Sequence, residues 1–342
     1  MLWHNKSCPA KRKREGNTMK WKTRLTELLG CEYPIIQGAL SRIGTWEFAA
    51  AVSEAGAHGC ITGAVSLTPE KLREDIRRCR EATEKSFEVN LTVGMCPHID
   101  EMLEVCLEEE VDVIETAAYN ADKYGKRIKE AGRKWIHKTA TIRHALHAER
   151  QGADAVIIVG LEGIGFKHIS QLPTMTTIAW AAREIKVPIV AGGGIGDART
   201  FLAALALGAE GVMMGTAFMA TKECPISDRY KANMVKAVPD HPKLRNAVLA
   251  SPNPKDYEEI MRRRDEMPLE KWLPALERVM LRSDDWKVAP EMWKEDYGRL
   301  SGMMSFAVAY IDQIPTVKEF VDSIIKGAEE IIGSWRFLRE MK

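Results

Sequence analysis

Eight short apolar runs recur between residues 34 and 214, and helical spacing fills the gaps between them. The runs are Pro34–Gly38, His58–Thr62, Phe87–Thr92, Val111–Thr116, Lys134–Lys138, Ala153–Gly160, Val187–Ala191 and Glu210–Met214. The helical patterns fall at 45–56, 68–83, 98–109, 120–131, 141–151, 172–185 and 197–207. Connections of that length permit parallel pairing. Continuous apolar character, as in Ala155-Val156-Ile157-Ile158-Val159, suits strands covered on both faces. Eight regular units without a reversal predict an α/β fold, a closed (β/α)8 TIM barrel rather than an open doubly wound sheet. Near the end, Val317, Phe320, Val321, Ile324, Ile325, Ala328, Ile331, Ile332 and Trp335 recur at i, i+3, i+4 spacing. That spacing predicts an amphipathic helix, the eighth of the ring.

Residues 19–216 with 313–342 therefore read as the barrel. The stretch 217–312 shows prolines, the charge run Arg262–Glu266 (a solvated helix face) and Trp272, Trp286 and Trp293, with no clear strands. It reads as a helical lid or substrate domain inserted after strand eight, and its tryptophans are compatible with a homodimer. Residues 1–18 are polar and basic without an apolar core segment, so they read as a disordered tail and not a secretory signal. The net charge of +1 argues against a polyanionic partner such as nucleic acid. The seven cysteines form no CxxC pair, which argues against a disulfide framework or zinc ribbon and for a reducing cytoplasm. No apolar run approaches the ~20 residues of a membrane span.

Function concentrates in Val187–Thr216, where two strand–glycine–helix turns follow one another through Gly192, Gly193, Gly194 and then Gly215-Thr216. Glycine lets backbone approach a ligand closely, and N–H groups at a helix start favour an anion. After the seventh and eighth strands of a barrel, such turns predict a phosphate clamp. The other strand ends carry small residues, amides and hydroxyls, a single clear cation, Lys138, and no carboxylate cluster or Ser/His/Asp set, so no metal site is expected. A rim poor in acid–base groups suits a cofactor that brings its own reactivity. FMN fits, with Lys138 stabilising the negative charge that gathers at N1 and O2 of the reduced ring. Histidines at 137, 144 and 147 lack a completing carboxylate or cysteine and read as surface residues. The run Gly192–Gly196 fails the GxGxxG spacing, so NADH or NADPH would bind only transiently over the flavin.

The chain resembles the nitronate monooxygenase family, long called 2-nitropropane dioxygenases, which includes NADH:quinone reductases and flavin enoyl reductases. Thr23-Arg24-Leu25-Thr26-Glu27, Pro34-Ile35-Ile36-Gln37-Gly38, Val89-Asn90-Leu91-Thr92, Ile136-His137-Lys138, Arg143-His144-Ala145 and the stretch through Glu223-Cys224-Pro225 carry the likeness. It covers about residues 20–235 strongly, and His137-Lys138 with Glu223-Cys224-Pro225-Ile226 look most like the quinone reductase branch. The resemblance implies FMN contacts at Ala39, Leu40, Ser41, Asn90, Thr92, Lys138, Ile164, Gly165, Gly192, Gly193, Gly194, Gly215 and Thr216. One departure matters. Phe166 stands where the family carries a histidine facing the flavin, and phenylalanine cannot transfer a proton. His168, two residues on, is the candidate replacement. Phe166 beside a flavin suits stacking of a small planar substrate. The expected activity is NAD(P)H-dependent reduction of a conjugated, electron-poor acceptor: an enone, an enoyl thioester or a quinone. The alternative is nitronate monooxygenase proper.

Overall fold

The computed structural model describes residues 20–40, 43–165, 167–249, 253–263, 266–268, 271, 272, 275, 279 and 304–335. Its strands are β1 (Ile35–Gln37), β2 (Gly59–Thr62), β3 (Phe87–Thr92), β4 (Val113–Ala117), β5 (Lys134–Thr139), β6 (Ala155–Val159), β7 (Ile189–Gly192) and β8 (Gly211–Met214). They pair in parallel in the order β1-β8-β7-β6-β5-β4-β3-β2. A parallel bridge between Ile36 and His58 joins the two ends, so the sheet closes into the expected (β/α)8 barrel. The Gln37 side chain reinforces that seam: its Nε2 donates to the Cys60 carbonyl at 3.3 Å and its Oε1 accepts from the Cys60 N–H at 3.2 Å.

Helices follow the strands where the spacing places them. In chain order they are α1 (Arg24–Leu29), α2 (Trp46–Glu54), α3 (Gly63–Ser66), α4 (Pro69–Ala82), α5 (Ile99–Glu108), α6 (Asp122–Glu130), α7 (Ile142–Arg150), α8 (Thr174–Glu184) and α9 (Ala198–Ala206). Beyond β8 come α10 (Thr216–Met219), α11 (Asp228–Val235), α12 (Pro242–Leu249), α13 (Pro254–Arg262), a 3-10 turn over Phe306–Tyr310 and α14 (Val317–Ser334). The segment after β8 is thus helical among the described residues. Trp272 in it is buried and donates from Nε1 to the Ile260 carbonyl at 2.7 Å. The basic tail, Trp286 and Trp293 lie outside the described residues. α14 starts on a capping box between Thr316 and Glu319 and buries Val317, Phe320, Val321, Ile324, Ile325 and Ala328. It packs against α9 and α2, which is the place of the eighth barrel helix. No helix among the described residues is long and apolar enough to cross a membrane.

The barrel interior has two unlike halves. Ile36, Val113, Ile136, Ala155, Ile157, Val190 and Met213 form an apolar floor that Leu25 and Leu29 of α1 plug from below. α1 is only six residues, too short for a periodic signal, and it forms because Thr23 and Thr26 cap it reciprocally. Leu25 is completely buried. Leu25→Ala should therefore cost about 2–5 kcal/mol of stability, read as a lower urea midpoint at unchanged slope. Opposite this floor, β2 to β5 turn polar side chains inward.

Candidate active site

The mouth is built from the loops after β6, β7 and β8. Gly193 and Gly194 have φ of +101° and +73°, a region that side-chain-bearing residues rarely adopt. A Cβ on Gly193 would stand 2.9 Å from the Gly163 nitrogen, so the β6 and β7 loops lie back to back. Gly193, Gly194 and Gly215 remain partly open to solvent. Two groups at these turns already have protein partners. The start of α9 is already served by Asp197, whose Oδ1 accepts from the Thr200 N–H at 2.8 Å. The Thr216 hydroxyl is likewise engaged, accepting from the Ser305 N–H at 3.0 Å and tying the returning segment to β8. At β1, Ala39 and Leu40 are half-buried, and the Leu40 N–H donates to Thr62 Oγ1 at 3.1 Å. Ser41 lies outside the described residues.

The β6 loop is pinned by two residues with no place among the expected site groups. Glu162 Oε2 accepts from the Thr174 N–H at 2.7 Å and so caps α8, whose N-cap is proline. Lys167 is buried and its Nζ donates to the carbonyls of Leu161 and Gly163, both at 2.6 Å. Burial lowers its pKa to about 8, against the opposing charge of Glu162. Ile164 and Gly165 ride on this loop, and Phe166 lies outside the described residues. His168 is buried between α7 and α13. Its ring meets His144 edge-on at 5.3 Å, and Tyr257 Oη stands 3.4 Å from its Nε2. Nδ1 accepts from the Ser170 N–H at 3.0 Å, which leaves the proton on Nε2. Burial, and then His144 and Arg143, lower its pKa to about 4, so the ring is neutral at pH 7. Among the described residues no hydrogen bond joins His168 to Lys138, Asn90 or Thr92.

Lys138, Asn90 and Thr92 do come together, around a residue the strand-end reading passed over. Lys138 Nζ stands 2.7 Å from Glu115 Oε1, and Asn90 Nδ2 donates to the same oxygen at 2.6 Å. Thr92 Oγ1 donates to Asn90 Oδ1 at 2.8 Å. Behind Glu115 lie Glu88 and Cys60, with one ligand atom from each of the three within 4.8 Å of the others. The expectation of no carboxylate cluster is thus corrected, and the signal was Glu88 and Asn90, two apart on one strand and so on one face. Lys138's ammonium already balances the charge of Glu115. Burial works against that ammonium, but the charge and hydrogen bond of Glu115 outweigh it and raise its pKa. Burial, then the charge of Glu115, pushes the Glu88 carboxyl well above the usual carboxylate range.

The histidines at 137, 144 and 147 do not form a set. His137 Nδ1 bonds Thr116 Oγ1 at 2.8 Å, His147 Nε2 bonds Asp122 at 2.9 Å, and His144 faces His168. His58 Nε2 stands 3.6 Å from Glu88 Oε2, yet burial lowers His58 to about 3, so two neutral groups meet there. Because that folded value lies below the unfolded one of about 6.5, the unfolded chain binds the extra proton first as pH falls. His58's contribution is complete above pH ~6.5 and fades down to about 3, a loss of roughly 5 kcal/mol. His137, lowered to about 4 by burial, acts in the same sense. Urea unfolding between pH 7 and pH 4 should show this decline, with a shallower slope in His58→Phe.

A closed barrel with partly open glycine turns after β7 and β8 and a Lys138–Glu115 ion pair projecting inside it is the frame of a TIM-barrel enzyme. Residues 22–327 match the model of the nitronate monooxygenase family, and the chain belongs to that family of oxidoreductases. It is 32% identical over 222 residues to an octahydro-indene-carboxyl-CoA dehydrogenase of Mycobacterium tuberculosis, covering 64% of this chain and 61% of that protein. It is 31% identical over 250 residues to a probable nitronate monooxygenase of Staphylococcus aureus strain MSSA476, covering 60% of this chain and 70% of the relative. The solved structure of FabK from Thermotoga maritima superposes with a TM-score of 0.75 at 35% identity, covering 93% of this chain and 99% of that one. The chain spans about three fifths of the length of the first of these relatives.

Proposed function

We propose that this chain is an FMN-dependent NAD(P)H oxidoreductase that reduces a conjugated, electron-poor acceptor: an enone, an enoyl thioester or a quinone. The observation that carries the reading is Lys138. Its side chain is 18% exposed while its partner Glu115 is fully buried, so the ammonium is held at the mouth by a carboxylate beneath it. Gly193 and Gly194, positive in φ and partly open to solvent, offer the backbone N–H groups that a phosphate would need. Ala39, Leu40, Ser41, Ile164, Gly165, Gly192, Gly193, Gly194, Gly215 and Thr216 would hold the cofactor, with Asn90 and Thr92 at the polar wall. When bound, FMN supplies hydride transfer between NAD(P)H and the acceptor. Lys138 offers positive charge and a proton, Glu115 and Asn90 fix its direction, and Phe166 offers a surface for stacking. His168 is neutral, and with Nδ1 accepting from Ser170 and Nε2 facing Tyr257 it would offer a hydrogen bond from its N–H rather than a proton.

The relative named for a carboxyl-CoA favours an acyl or enoyl thioester among the acceptors. A second reading, nitronate monooxygenase, is favoured by the name of the Staphylococcus relative. Six free cysteines among the described residues support a reducing cytoplasmic setting. The purified protein should be yellow, bleach with NADH without oxygen, and regain colour on adding enone, enoyl-CoA or quinone. Failure of every such acceptor, together with rapid nitronate turnover in air, would select the second reading.

A further inference from the structure

The proposed reduction consumes a proton as well as an electron pair, and the polar half of the barrel interior holds one with no other evident use. Glu88 is completely buried, and neither of its carboxyl oxygens meets a hydrogen-bond donor among the described residues; the same is true of Glu115 Oε2. Two orphaned carboxyl groups side by side in a dry interior are satisfied together if they share one proton, because two like charges at that distance cannot both stay ionised. The neighbours permit it. Cys60 on β2, His58 just before it, Glu115 on β4 and Lys138 on β5 are the titratable groups facing Glu88; burial raises the Cys60 thiol well above its usual range, and His58 is neutral. With Lys138 charged and one proton shared between the two carboxyl groups, the cluster is neutral overall.

We propose that Glu88 and Glu115 form a carboxylic acid–carboxylate pair that stores a proton beneath Lys138 and resupplies Lys138 after it protonates the reduced acceptor. This rests on the reductase reading above. The electron pair comes from NAD(P)H and forms a C–H bond on the acceptor. A Lys138 N–H bond then breaks as an O–H or second C–H bond forms. The Lys138 amine recovers a proton through Glu115, and the Glu88 O–H proton replaces it. A proton from solvent, with hydroxide released to the bulk, enters past Lys138 and refills Glu88 as it is spent, so the pair does not remain doubly charged. Glu88 is thus a positioning residue that acts through Glu115.

Infrared spectroscopy of the wild-type protein at neutral pH should show the C=O stretch of a protonated carboxyl that shifts in D2O. Glu88→Gln should abolish this band, and Glu88→Asp should retain it. With the flavin bound, Glu88→Gln should lower kcat at alkaline pH about tenfold or more, leaving KM and the rate of bleaching by NADH unchanged. A wild-type spectrum without the band, or a band that survives Glu88→Gln, overturns the shared proton. A kcat–pH profile in Glu88→Gln that superimposes on wild type overturns the relay. A protein that neither takes up FMN nor reduces an acceptor overturns the functional reading and with it the relay, while the band still decides whether the carboxyl pair exists.

Discussion

Lys138→Met should lower acceptor turnover about 100- to 1000-fold, the range seen when one preorganised charge-stabilising group is removed from an active site. Methionine keeps the length and apolar stem of lysine but leaves Glu115, fully buried, with Asn90 as its hydrogen-bond donor. Breaking a buried pair from one side costs about 3–5 kcal/mol, because the remaining charge has no partner. Stability and activity should therefore fall together, measured by urea unfolding and steady-state turnover. Adding Glu115→Gln removes the stranded charge and should restore much of the stability but none of the turnover. A Lys138→Met protein that turns over within tenfold of wild type would remove the lysine from the reaction.

Gly193→Ala should weaken FMN binding at least tenfold, about 1.4 kcal/mol. Alanine would hold φ near +101° at a cost of order 1–3 kcal/mol. Its methyl group would also press on the Gly163 nitrogen and move two mouth loops at once. Titration of apoprotein with FMN, followed by quenching of flavin fluorescence, reads the affinity. An unchanged Kd would show that the phosphate lies elsewhere. Gly132→Ala makes a control, since φ there is +71° but nothing lies within 4 Å of the added methyl group, so only local strain is introduced away from the mouth.

The barrel was legible because its strands are covered on both faces and read as unbroken apolar runs, as Ala155–Val159 shows. The ring closure was legible in α14, whose 18 residues are long enough for spacing to declare a buried stripe. α1 was not, since its function as a plug depends on two leucines and a cap rather than on a period. Lys138 stood out as a lone cation, but its pairing with Glu115 exists only once β4 and β5 are side by side. Glu88 resembled noise in an apolar strand until the barrel turned it inward. His168 became engaged through Tyr257, a residue 89 positions away in sequence, which spacing alone cannot anticipate. Asp197 lay inside the helical pattern over 197–207, and its part as the cap of α9 follows only from the hydrogen bond it accepts from the Thr200 N–H.

The seam between β1 and β2 gives one strand residue an unusual task. Here the Gln37 amide is stitched into the Cys60 peptide by both of its ends. A stitch made by a side chain can be undone by one codon, and an apolar residue there would strand a donor and an acceptor at once. The first gap in such a wall opens beside Cys60, and water entering it would reach the carboxyl groups from the side, bypassing the lysine that otherwise guards them.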